Sequence, residues 1–202
     1  RLVIMLPGPP RELRPMFKDQ VVPILKRLHP LEEAFACRTL RSTGLGESLV
    51  EERIAPALKA LNERGLEIGY CARVGEVDVR FAAKGKCGLE LIAEAEQITR
   101  GLLDDFIFAV EDASLEETVV KLLIEHRKTL ALAESCTGGF IANRITNVPG
   151  ASAALMSGWV TYANEAKQSC LGVHEGTLAA HGAVSEQTAI EMACGARERA
   201  NA

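Results

Sequence analysis

Ser135 and Lys167 are the residues on which chemistry most readily hangs. The segment Ala133-Glu134-Ser135-Cys136-Thr137-Gly138-Gly139 sets small polar side chains and two glycines where a strand should hand over to a helix. At such a junction N–H groups of the helix N-terminus point at a ligand, and glycine lets a phosphate or a tetrahedral oxyanion approach the main chain. The same residues also fit an ordinary capped helix start, with Ser135 or Thr137 as N-cap and the glycines present for packing. Downstream, Thr161-Tyr162-Ala163-Asn164-Glu165-Ala166-Lys167 reads as a strand end and helix start that bring Tyr162 and Lys167 to the sheet edge where α/β proteins bind ligands. A serine beside a lysine suits nucleophilic catalysis in which neutral lysine takes the hydroxyl proton, a state that burial beside apolar walls favours. Lys167 also fits a solvated helix lysine paired with Glu165, and Tyr162 an amphipathic core edge; spacing alone does not separate these readings. Cys136 is a rival nucleophile, but the sequence positions no histidine to activate it.

These residues need elements to hold them. Leu2 to Leu6 reads as a buried strand running into Pro7-Gly8-Pro9-Pro10, and the apolar residues from Leu13 to Leu28 have helical spacing, interrupted or kinked at Pro15 and Pro23. A strand over Phe35 to Thr43, a Gly44-Leu45-Gly46 turn and a helix from about Glu47 to Leu61 follow. Leu66 to Arg73 and Glu76 to Ala83 are further strands, the second marked by Val77, Val79 and Phe81 alternating with Asp78, Arg80 and Ala82. A helix from about Leu89 to Leu103 and a strand at Phe106 to Val110 complete an α+β unit. A capping box at Ser114 to Glu117 starts a new helix, then come a strand at Thr129 to Ala133 and a helical run from Phe140 to Ile145. A strand over about Leu155 to Tyr162, a helix from about Asn164 to Leu171, a helical turn over Thr177 to His181 and a helix capped by Ser185 end the pattern.

Composition narrows the function classes. Charged residues are 25% and hydrophobic residues 48% of 202, a globular balance that excludes disorder, collagen and a disulfide-stapled miniature. A formal net charge of -4 offers no field to gather phosphate backbones, which weighs against nucleic-acid binding. The six cysteines form no C-x-x-C pair and no histidines stand at ligand spacing near them, so neither a zinc site nor a disulfide framework is indicated. Cys37, Cys71, Cys87, Cys170 and Cys194 are expected to be small buried hydrophobes in a reducing cytoplasm. No apolar run approaches the roughly 20 residues that span a bilayer. The chain opens at Arg1 and stops at Ala202 inside a helical pattern, as a piece of a longer protein would.

From about Ser114 onward the chain resembles the C-terminal domain of the competence/damage-inducible protein CinA family. The resemblance rests on Ala133 to Gly139, Pro149-Gly150-Ala151-Ser152, Gly158-Trp159-Val160-Thr161-Tyr162-Ala163-Asn164-Glu165-Ala166-Lys167, Leu171-Gly172-Val173 and Gly182-Ala183-Val184-Ser185. Upstream, Leu6-Pro7-Gly8-Pro9-Pro10-Arg11-Glu12-Leu13 resembles the end of the family's molybdopterin-binding-like (MoaB/MogA-type) domain, and residues 35 to 110 its KH-type module. The expected architecture is therefore a multi-domain α/β and α+β chain: residues 1–34 end a MoaB/MogA-like α/β domain, 35–112 form a small KH-type α+β module, and 113–202 an incomplete CinA C-terminal α/β domain.

The resemblance implies a nicotinamide-nucleotide amidase of pyridine-nucleotide salvage, a cytoplasmic hydrolase converting nicotinamide mononucleotide and water to nicotinate mononucleotide and ammonia. Carried over by motif, Ser135 is the nucleophile, Lys167 its general base and Tyr162 a support for the pair. Ser152 contacts substrate, and N–H groups around Thr137, Gly138 and Gly139 hold either the oxyanion or the ribose phosphate. It also implies a homodimer, a small-molecule nucleotide substrate and no cofactor for the amide step. Two departures stand out: Ala151 replaces a second small polar residue, and the family domain continues into another glycine-rich loop and further strands. One competing reading is a metal-dependent ADP-ribose pyrophosphatase, with a divalent metal in the N-terminal domain and Gly8 and Glu12 at the pocket edge. Another is a non-catalytic nucleotide-binding protein linked to competence or DNA damage. A binding-module reading from Gly85-Lys86-Cys87-Gly88, a G-x-x-G, is weakened because it follows a strand and carries one lysine.

Overall fold

A computed structural model describes residues 2–30, 33, 35–85 and 87–202. The chain divides into two units, Arg1–Glu111 and Asp112–Ala202.

The first unit opens with the run Leu2 to Leu6, and the expected buried strand is not there. The segment has no strand partner among the described residues, with Val3 84% and Met5 90% exposed. An apolar run makes a strand only where a neighbouring edge completes its ladder. Helices α1 (Pro10–Met16) and α2 (Val22–Leu28) are joined by a π-helical stretch, Phe17–Val21. Pro23 has no N–H for a helical bond back to residue 19, and the wider turn ahead of it accommodates the loss.

Strands β1 (Phe35–Thr43), β2 (Glu67–Arg73), β3 (Glu76–Lys84) and β4 (Ile107–Val110) form an antiparallel sheet in the order β2-β3-β1-β4. Helices α3 (Glu47–Glu63) and α4 (Gly88–Leu103) pack on one face. The alternation in β3 does what it predicts: Val77, Val79 and Phe81 join Leu40, Ile54, Leu58 and Leu91 in the core. Each such side chain contributes about 1.5–3 kcal/mol by leaving water.

On the other face the charges pair among themselves. Arg41, 6% exposed, donates from Nε to Asp78 (3.2 Å) and from an Nη to Glu76 (2.9 Å), and Arg73 also bonds Asp78. In the G-x-x-G segment, Gly85 follows β3 and Gly88 opens α4, while Lys86 is outside the described residues.

The second unit starts at the expected capping box: Ser114 Oγ accepts from Glu117 N–H, and the Glu117 carboxylate accepts from Ser114 N–H. Helix α5 (Leu115–Glu125) leads to β5 (Leu130–Glu134), α6 (Phe140–Thr146), a 3-10 turn at Ala151–Ala153 and β6 (Leu155–Val160). Strands β5 and β6 are parallel, Glu134 level with Val160. Then come α7 (Asn164–Leu171), α8 (Glu175–His181) and α9 (Glu186–Ala200), the last capped by Ser185 Oγ.

Helices cover both faces of this small sheet. Val120 of α5, Ile145 of α6 and Leu130 pack on one side; Leu171 of α7, Met192 and Ala196 of α9, Ala133 and Trp159 pack on the other. No helix among the described residues is long and apolar enough to cross a membrane.

The cysteines overturn their expected burial: all six are exposed. Cys37 and Cys71 alternate with residues that pack against the core, so they fall on the sheet face that α3 and α4 leave open. Cys170 and Cys194 lie on outward parts of α7 and α9, and Cys87 immediately precedes α4.

Candidate functional site

The site grows out of the parallel ends of β5 and β6. Successive residues of a strand point to opposite faces, so as β5 runs out Glu134 turns toward α6 and Ser135 toward α7. Lys167 lies one turn into α7, starting from Asn164. It is 2% exposed, and its Nζ stands 3.2 Å from Ser135 Oγ, 2.8 Å from the Thr161 carbonyl and 2.9 Å from the Tyr162 carbonyl.

The ammonium form would donate one proton to each of these oxygens. The neutral amine would donate two to the carbonyls and turn its lone pair toward the serine hydroxyl.

Tyr162 belongs to this cluster through its main chain. Its carbonyl holds Lys167, while the residue is 76% exposed and its phenol takes no part in the hydrogen bonds of Lys167 with Ser135, Thr161 and Tyr162. Thr161, which the sequence reading did not single out, does the same with its carbonyl. A signal for both was available: a lysine one turn into a helix can reach back to the strand end before it. The Thr161 hydroxyl is buried without a hydrogen-bond partner among the described residues.

Ser152 lies exposed in the 3-10 turn at Ala151–Ala153, and no hydrogen bond ties it to Ser135 or Lys167. Cys136 and Thr137 are exposed beside Ser135. Gly138 and Gly139 have positive φ of 61° and 89°, the left-handed conformation that lets the chain turn from β5 into α6.

The N–H groups expected to meet a ligand at Thr137 to Gly139 are only partly available. Gly138 N–H donates to the Ser135 carbonyl at 3.0 Å, and Gly139 N–H to Glu134 Oε2 at 3.1 Å. The Glu134 carboxylate also accepts from the N–H of Ile141 (3.1 Å) and Ala142 (2.8 Å). Burial alone would raise its carboxyl pKa, but the hydrogen bonds from Ala142, the Thr137 hydroxyl, Ile141 and Gly139 outweigh that and hold it below the usual carboxylate value.

A cavity of about 410 Å³ beside the end of α7 is lined by Leu171, His174, Glu191 and Arg199 among others, and includes neither Ser135 nor Lys167. The contacts of Ser135 and Lys167, not that hollow, define the chemistry. Among the described residues no group of three His, Cys, Asp or Glu side chains stands close enough to hold a metal ion. Glu12 belongs to no such group among the described residues.

Comparisons with known proteins bear on both units. A family model described as the CinA C-terminal domain matches residues 112–202, and one described as the damage-inducible protein CinA KH domain matches residues 37–109. A CinA-like protein of Akkermansia muciniphila is 46% identical over 202 residues, 100% of this chain and 47% of its own length. A protein of Caldanaerobacter subterraneus subsp. tengcongensis, whose name assigns it provisionally to the competence-damage inducible proteins, is 48% identical over 195 residues, 96% of this chain and 46% of its own length. The chain spans about half the length of the curated relatives it matches. The crystal structure of competence/damage inducible protein CihA from Agrobacterium tumefaciens is 45% identical with a TM-score of 0.41, covering 42% of this chain and 52% of that one.

Proposed function

The chain belongs to the CinA family of competence/damage-inducible proteins, and from that premise we propose that it carries the nucleophilic centre of a nicotinamide-nucleotide amidase. The observation that supports this best is Lys167 Nζ, 2% exposed as a residue, 3.2 Å from Ser135 Oγ and anchored on two carbonyls. In this reading neutral Lys167 takes the Ser135 proton as Oγ attacks the carboxamide carbon of nicotinamide mononucleotide. The tetrahedral intermediate collapses as Lys167 returns the proton to the leaving nitrogen, releasing ammonia and leaving an ester on Ser135. Water, deprotonated by the same lysine, then attacks the ester; the C–Oγ bond breaks, Lys167 returns the proton to Ser135 Oγ, and nicotinate mononucleotide is freed. The carbonyls of Thr161 and Tyr162 orient the amine, and no metal is required for the amide step.

On the same reading residues 1–34 end a MoaB/MogA-like domain, 35–112 form the KH-type module and 113–202 the amidase domain. Ser152 meets the substrate, and the protein works as a cytoplasmic homodimer. The test is ammonia release from nicotinamide mononucleotide. Ser135→Ala and Lys167→Ala, with unchanged circular dichroism, should each lose at least about 10³-fold in kcat, the scale seen when a nucleophile or its base is removed. A Ser135→Ala protein that keeps its activity overturns the assignment.

A further inference from the structure

Glu134 immediately precedes the proposed nucleophile and has no part in the steps above, yet it is 3% exposed. A buried carboxylate is costly unless its oxygens are fully bonded. Here they are bonded by the turn that carries Ser135 and the first residues of α6: Oε2 by the N–H of Gly139 and Ile141, Oε1 by the N–H of Ala142, with the Thr137 hydroxyl donating as well. With Gly138 donating to the Ser135 carbonyl and Phe140 to the Thr137 carbonyl, every N–H from residue 138 to 142 has a protein acceptor. Among the described residues no acceptor is recorded for the N–H of Cys136 or Thr137. The start of α6 is thus already occupied by an anion built into the chain, and a second anion would meet its charge there.

We infer that Glu134 is a positioning residue: by binding Gly139, Ile141 and Ala142 it fixes the Ser135 turn and leaves the N–H groups of Cys136 and Thr137 for the oxygen of the attacked carbonyl. This separates the two roles that the turn could play. It serves the oxyanion, and the ribose phosphate is bound elsewhere. The N–H just after a nucleophile is well placed for that oxygen, because the new bond and the donor share one residue's reach.

The inference rests on Ser135 being the nucleophile proposed above, so its test uses a reagent that needs no nucleotide. Diisopropyl fluorophosphate phosphorylates an activated serine: the Oγ–P bond forms, the P–F bond breaks, fluoride leaves and Lys167 takes the hydroxyl proton. In the adduct the phosphoryl oxygen stands where the oxyanion would. The amide proton resonances of Cys136 and Thr137 should move downfield and their exchange should slow at least tenfold, while those of Gly139, Ile141 and Ala142 stay where they were.

Glu134→Gln keeps the shape but presents an NH₂ to one of the N–H donors. It should slow Ser135 labelling at least tenfold and lower kcat by a similar factor, with KM for nicotinamide mononucleotide unchanged. Labelling of Glu134→Gln at the parental rate, or adduct shifts at Gly139, Ile141 and Ala142 in place of Cys136 and Thr137, overturns the inference. If the Gln protein does not fold, the adduct shifts in the parent decide alone. A parent that labels with these shifts but releases no ammonia leaves the inference standing and removes the amidase reading. A parent whose Ser135 does not label removes both.

Discussion

Gly195 offers a perturbation far from the reacting atoms whose effect can be followed into the site. A Cβ built on Gly195 in α9 would sit 1.8 Å from the Leu171 carbonyl oxygen, 2.8 Å from its carbon and 3.1 Å from its Cα. A carbon–oxygen contact settles at about 3.3 Å or more, so the two backbones would have to part by roughly 1.5 Å. All three atoms belong to the main chain, and no side-chain rotation relieves the clash. Alanine in place of glycine gains about 1 kcal/mol of helix propensity. Overpacking costs about 1–3 kcal/mol, and a main-chain overlap this deep lies at or beyond the upper figure, leaving Gly195→Ala destabilised by about 2 kcal/mol or more. The strain falls on the cluster of Leu171, Val173, Met192 and Ala196. Leu171 ends the helix in which Lys167 lies one turn earlier, so part of the displacement reaches an Nζ that stands 3.2 Å from Ser135 Oγ. A misplacement of about 1 Å costs up to about 100-fold in rate. Urea unfolding gives the stability, and diisopropyl fluorophosphate labelling of Ser135 gives the geometry. Loss of stability with normal labelling would mean that α9 gives way and α7 holds. A Gly195→Ala protein within about 0.5 kcal/mol of the parent would refute the packing argument itself.

Two further outcomes follow from the same structure. All six cysteines are exposed, so Ellman's reagent should titrate six thiols without denaturant, and a thiol that reacts only after unfolding contradicts the exposure assigned to it. Glu134 has its carboxyl pKa held below the usual value, so its contribution to stability is fully present above about pH 4.3 and is lost as pH falls through its lower folded value. Acid unfolding of residues 112–202 should therefore depend less steeply on pH in Glu134→Gln than in the parent. Equal slopes would mean that the turn does not depend on the charge.

Local rules carried the sequence reading wherever an element's own residues decide its state. Ser114 with Glu117 is a self-contained cap, and Val77, Val79 and Phe81 alternate because one face of β3 meets the core; both are found where the pattern put them. Leu2 to Leu6 failed for the opposite reason. A strand's existence depends on a neighbouring edge, which the run itself does not encode. The cysteines failed likewise: Cys37 and Cys71 follow the strand period faithfully, but onto the face without helices, and residue type could not say which face that was.

The site shows the same division at closer range. Ser135 and Lys167 could be read as chemically matched, and their meeting required only that a strand end and the next helix start share an edge. The role of Glu134 was open to a general rule, since a carboxylate before a helix start favours the N-terminal N–H groups. It was missed because the glycines looked like the binding feature. Their backbone N–H groups are engaged within the chain, and what the glycines supply is the left-handed turn that brings residues 139 to 142 back onto Glu134. The turn therefore joins two opposed demands on adjacent residues: Glu134 is buried and bonded toward α6, and Ser135 meets Lys167 toward α7. A strand end meets both at once, because its side chains alternate, and that is a physical reason for Ser135 to stand just past the end of β5 and not inside α6.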